Sequence, residues 1–118
     1  MFKFIFLFLL SFNACAFDEW SEADKTREAV YLAVDTIDWL QTRNIARNPD
    51  KFYETNSYLG QHPSVGKVNE YFAVTMLLHV GIVTSLPSKY RSVFQFTTIA
   101  YEINYVAGNY QIGISAKF

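Results

Sequence analysis

Asp35, Asp38 and Thr42 lie three and four residues apart, the interval that stacks side chains on one helical face, and Tyr31 stands a turn earlier. Thr98, Glu102, Tyr105 and Asn109 repeat the interval near the end of the chain. Between the two sets, His79 follows Thr75 by one turn inside a long uncharged stretch. Carboxylates and imidazole bind hard metals and zinc, and they also hold protons. Polar groups in apolar helices are costly, so three such stripes are expected to face one another. Asp35, Asp38, Thr42, His79, Glu102 and Asn109 are therefore the candidate polar cluster. A structural network that fixes helix register takes precedence over a metal or proton site. In the latter reading, Asp38, His79 and Glu102 would serve a metal-dependent membrane enzyme. No H-E-x-x-H or paired-histidine spacing supports a metal, so no cofactor is assigned. Catalytic triads and phosphate loops are equally absent as motifs.

A second polar group occupies "YETNSYLGQHPS", residues 53–64. Glu54, Asn56 and His62 stand there between two apolar segments. They are expected to form a clasp against the first helix, satisfying Gln41, Thr42 or free backbone ends, and to cap one end of the cluster.

Three helices would position these residues. The first is expected from about Ser21 through Ala46, opened by Asp18 or Ser21 as a cap and stopped by Asn48-Pro49. The second runs from Val65 to Leu86, with Ser64 as its cap and Pro87 as its stop. The third runs from about Ser88 to Val106 or Asn109. The tail after it alternates apolar residues at Tyr110, Ile112, Ile114, Ala116 and Phe118, a strand-like pattern. Outer-membrane barrels end in this way, but eight strands of ~9–11 residues exceed what the chain offers outside its helices. A short extended tail, at the surface or paired with a partner chain, is expected instead.

Residues 1–16, "MFKFIFLFLLSFNACA", have one basic residue, an apolar run and an A-x-A end, which together read as a secretory signal. Cleavage after Ala16 would leave residues 17–118 as a single helical domain. Lipidation at Cys15, or retention as an anchor, are the alternatives. With one cysteine, no intrachain disulfide can form. The net charge of −1 and the scattered basic residues argue against nucleic acid as a partner.

Eighteen residues between Glu70 and Lys89 carry no formal charge, and aromatic residues make up 18% of the chain. A helix that is apolar all round calls for lipid or a full protein jacket, which a chain of this size supplies poorly. The expectation is an all-α, small three-helix bundle, membrane-associated, with the second and third helices inserted. Tyr31, Trp39, Phe52, Tyr53, Tyr58, Tyr71, Phe72 and Tyr90 would form an interfacial belt, with an ordinary aromatic core as the alternative.

The segments "DWLQTRNIA", "FYETNSYLGQHPS" and "VNEYFA" together resemble a family of small bacterial and prophage proteins with no assigned activity. Its members carry a signal peptide, a D-W-x-Q-T segment, a Y-E-x-N-P-x-L-G-x-H-P-S segment and two apolar helices. The matching positions are Asp38, Trp39, Gln41, Thr42, Glu54, Asn56, Leu59, Gly60, His62, Pro63 and Ser64, and the chain departs at Ser57, where proline is usual. The resemblance implies a helical membrane-associated protein of the cell envelope and leaves mechanism open. The functional expectation is an exported bacterial protein of the inner membrane or periplasm, with the outer membrane or a Cys15 lipid anchor as alternatives. It would act without catalysis, through a protein partner, as a homo-oligomer or in the membrane. A soluble periplasmic binding module is a further alternative.

Overall fold

The computed structural model describes residues 17–117. The signal and lipidation expectations for residues 1–16 lie outside the described residues. Three helices follow one another: α1 over Glu22–Arg47, α2 over Val65–Ser85 and α3 over Ser88–Gln111. Among the described residues there is no strand.

Local chemistry sets each boundary. Ser21 and Asp24 form a capping box: the Ser21 Oγ accepts from the Asp24 N–H and the Asp24 carboxylate accepts from the Ser21 N–H, both at 3.0 Å. Asn48, ahead of Pro49, ends α1 and ties its side-chain amide back to the Asn44 carbonyl at 2.9 Å. Ser64 caps α2 by accepting from the Lys67 N–H. α3 has no cap from its own side chains. Asp18 supplies one from the N-terminal segment, accepting the Ser88 N–H at 2.7 Å. That bond lowers the Asp18 pKa, as a carboxylate at a positive helix end should show.

α3 runs to Gln111, beyond the expected Val106 or Asn109. It closes with Gly113 in the left-handed region at φ +89°, where the Gly113 N–H reaches the Tyr110 carbonyl and the Ile114 N–H the Asn109 carbonyl. This paired pattern is a Schellman closure, and it turns the chain back on itself. Ile114 is consequently buried, and Asn44 of α1 donates to the Ser115 carbonyl at 3.0 Å. The tail therefore docks on its own α1 rather than lying free at the surface.

α1 is the central element and packs on both α3 and α2, while α2 and α3 touch each other little. Paired residues set the direction. Asp24 meets Arg91 and Glu28 meets Gln95, so α1 and α3 run parallel. Trp39 meets Asn69 and Glu28 meets His79, so α2 runs antiparallel to α1. The seam is as polar as it is apolar: Val68, Phe72, Val83 and Ile99 share it with Asp24, Glu28, Asp35, Gln41, His79, Arg91 and Gln95. Leu77, Val93 and Phe96 point outward and are exposed.

The all-α three-helix expectation holds, but membrane-crossing helices do not. Among the described residues no helix is long and apolar enough to cross a membrane. The uncharged stretch that suggested one runs past the end of α2 into Leu86-Pro87-Ser88. The charge-free part of α2, Tyr71–Ser85, rises only ~22 Å at ~1.5 Å per residue, against ~30 Å of hydrocarbon. α3 carries Lys89, Arg91 and Glu102.

Candidate functional site

Six positions of α1 form one stripe: Asp24, Glu28, Tyr31, Asp35, Asp38 and Thr42. Six of α3 form another: Arg91, Gln95, Thr98, Glu102, Tyr105 and Asn109. Both follow a four-three repeat, and each α3 position lies 67 residues after its α1 counterpart, the separation of the bonded pairs Asp24–Arg91 and Glu28–Gln95. The two stripes therefore meet along parallel helices, and their ionisable groups gather at three levels, or rungs. What differs from rung to rung is how charge is balanced.

At the first rung, Asp24 faces Arg91. The guanidinium is fully buried, bonds Asp24 at 3.2 Å, and donates to the Val83, Thr84, Asp18 and Glu19 carbonyls. Arg27 adds a second ion pair to Asp24. Burial pushes the Asp24 pKa upward, but the Ser21 N–H and Arg91 outweigh it, and the net shift is downward. At the second rung, Glu28 accepts from Gln95 at 3.0 Å and bonds His79 Nδ1 at 2.6 Å, while His79 Nε2 meets Thr98 Oγ1 at 2.8 Å. The imidazole lies flat on Tyr31, ring centroids 3.4 Å apart. Both ring nitrogens are committed, so the rung is closed.

The third rung is different. Asp35 and Asp38 face Glu102, acid against acid. One carboxylate oxygen from each lies within 4.8 Å of the others. Asp35 is only 3% exposed, and its Oδ2 has no hydrogen-bond partner; neither has the buried Glu102 Oε2. Asp38 accepts weakly from Thr42 at 3.4 Å. Burial, together with Asp38 and Asp35, raises the Glu102 pKa to about 9; burial and Asp38 raise Asp35 to about 6, and burial raises Asp38. A proton on Glu102 lets it donate to Asp38 or Asp35, so one proton shared among three carboxyls is the resting arrangement.

These carboxyls line a partly open cavity of about 330 Å³ between α1, α3, the 53–64 connection and one face of α2. Glu54 is the fourth acid on its wall, and Tyr31, Tyr71, Tyr101 and Tyr105 supply aromatic surface. Among the described residues, no lysine, arginine or histidine lines it. Tyr31 is raised by its own burial and the surrounding acids, and Tyr105 is pushed up to about 12, chiefly by the Tyr101 hydroxyl.

The expected polar cluster is thus divided. Asp35, Asp38, Thr42, Glu102 and Asn109 all reach the cavity, although Asn109 spends its amide on Gln41 at 3.0 Å. His79 does not reach it, so the metal set Asp38, His79 and Glu102 is not assembled. The clasp also differs from expectation. Glu54 accepts its own loop's Thr55 and Asn56 N–H groups at 3.0 and 2.9 Å, and Asn56 donates to the Tyr71 hydroxyl of α2 at 3.0 Å. Gln41 instead donates to the Val106 and Ile114 carbonyls. His62 is exposed and takes no part. Asp24, Glu28, Arg91 and Gln95 escaped the sequence reading, yet the same four-three spacing, followed two turns back, reaches all of them. No known protein family, curated protein or solved structure matches this chain.

Proposed function

We propose that this chain is a small exported protein of the cell envelope that acts by binding rather than by catalysis, and that its ligand is a cation held in the α1/α3 cavity. The observation that carries this reading is a cavity walled, among the described residues, by four carboxyls and no basic side chain. Such a site attracts cations and repels anions. Tyrosine faces beside the acids add favourable quadrupoles for an organic ammonium group. The commitment of both His79 ring nitrogens away from the cavity supports binding over general-base chemistry. Export rests on the leader-like first sixteen residues and on the resemblance to the signal-bearing prophage family.

The test is thermal stability of the purified protein with calcium, manganese, spermidine or choline added singly. A ligand that binds only the folded state raises the melting temperature, by an amount that grows with the logarithm of its concentration above Kd. At least one cation should do so, and Asp38→Asn should lessen the shift. No response to any cation, or an equal response to chloride salts of non-binding ions, would rule the reading out.

Membrane association at the surface, without insertion, is a second reading. It is favoured by the outward Leu77, Leu78, Val93 and Phe96 side chains, each more than half exposed.

A further inference from the structure

We infer that the third rung is a site for one hard divalent cation of the calcium or manganese class, coordinated by Asp35, Asp38 and Glu102. This deepens the cation-binding reading and rests on it. The register of the two helices is the first support. The same α1 stripe presents an acid at each of three levels, and the partner elements answer the first with Arg91 and the second with Gln95 and His79. At the third level the answer is another acid, and no side chain of the described residues brings a positive charge to the cavity. The charge that balances these acids comes from outside the chain: a proton in the metal-free protein, and a cation when one displaces it.

The second support is the pair of buried oxygens without partners. Asp35 is 97% removed from solvent, lines the cavity and leaves Oδ2 unbonded, and the half-buried Glu102 leaves its own buried Oε2 unbonded. Native interiors rarely leave such acceptors unmet, and one proton on Glu102 can serve only one of them at a time. Oxygens within 4.8 Å of one another can all reach one ion, because calcium takes oxygen ligands at about 2.3–2.6 Å and opposite ligands then stand about twice that apart. The donors are all oxygen, with no thiolate or imidazole, which selects calcium or manganese over zinc and copper. The unused volume would hold the water molecules that complete a coordination shell of about six to eight.

Terbium, a calcium stand-in sensitised by nearby tyrosines, gives a direct readout beside calorimetry with calcium and manganese. One ion per chain is expected, with terbium emission lost on adding calcium. Asp35→Asn and Glu102→Gln should each weaken binding at least about tenfold, because affinity in such sites follows ligand charge. Glu22→Gln, at an exposed ion pair with Lys25, should leave binding unchanged. The inference is overturned if neither metal binds, or if both site variants bind as Glu22→Gln does. Should spermidine or choline still stabilise the protein in that case, the metal site falls alone and the cationic cavity stands. Should no cation of any kind bind, both fall together.

Discussion

At the scale of single residues, the contrast between Asp24 and Glu102 carries most of the energetics. Both are acids on the α1/α3 seam, but one faces a guanidinium and the other faces acids. Glu102 has a folded pKa of about 9 against 4.5 for a free side chain. Between those values the folded protein holds a proton that the unfolded chain has released. The stabilisation is therefore complete below pH 4.5 and is lost progressively as the pH rises through about 9. In metal-free buffer the protein should unfold at lower urea at pH 9 than at pH 5.5, and Glu102→Gln should flatten the dependence. A wild-type midpoint that rises across that interval would contradict the assignment. Arg91 shows the opposite logic. Its truncation removes one of the two ion pairs of buried Asp24 and leaves four carbonyls without their donor, so Arg91→Ala should cost ~3–5 kcal/mol in urea unfolding.

At the scale of elements, the polar connection and the tail are both fastened by backbone satisfaction. Glu54→Ala leaves two loop N–H groups without their acceptor and should cost ~1–3 kcal/mol. His62→Ala, at an exposed position, should stay within ~0.5 kcal/mol of the parent. Gly113→Ala places a side chain at φ +89° and should cost ~1–2 kcal/mol. The space there is open, so the cost is conformational rather than steric. Chemical denaturation of the three variants side by side checks the ordering.

The element scale also decides what was legible in the sequence. The three helices, their Ser21 and Ser64 caps and their Pro49 and Pro87 stops were readable because each depends on residues within one turn. The stripes were readable for the same reason. Which stripe member meets which was not, because a constant offset between α1 and α3 emerges only when the helices are docked. His79 illustrates the gap: its spacing joins it to Thr75, yet its partners, Glu28 and Thr98, come from two other helices. The clasp was misdirected to Gln41 because nothing local says that the Gly113 reversal has already brought the tail there.

At the scale of the whole molecule, the polar and apolar faces are distributed unusually for a small bundle. Charged and amide groups crowd the seam, while Leu77 is 75% exposed and Val93 67%. The uncharged run that suggested a membrane span is thereby accounted for. Its apolar residues do cluster, but on the outer side of a helix too short in its charge-free part to cross a bilayer. An outward apolar face on a chain read as exported suits contact with a lipid surface, in which aromatic and aliphatic side chains settle at the headgroup boundary without spanning it. Leu77→Asn with Leu78→Asn separates this role from folding. Both side chains already face water in the isolated molecule, so the double variant should unfold within ~0.5 kcal/mol of the parent. Its co-sedimentation with anionic phospholipid vesicles should nevertheless fall clearly below that of the wild type. Equal sedimentation of the two proteins would show that this face does not meet lipid, and a large loss of stability would show that it is covered within the folded protein.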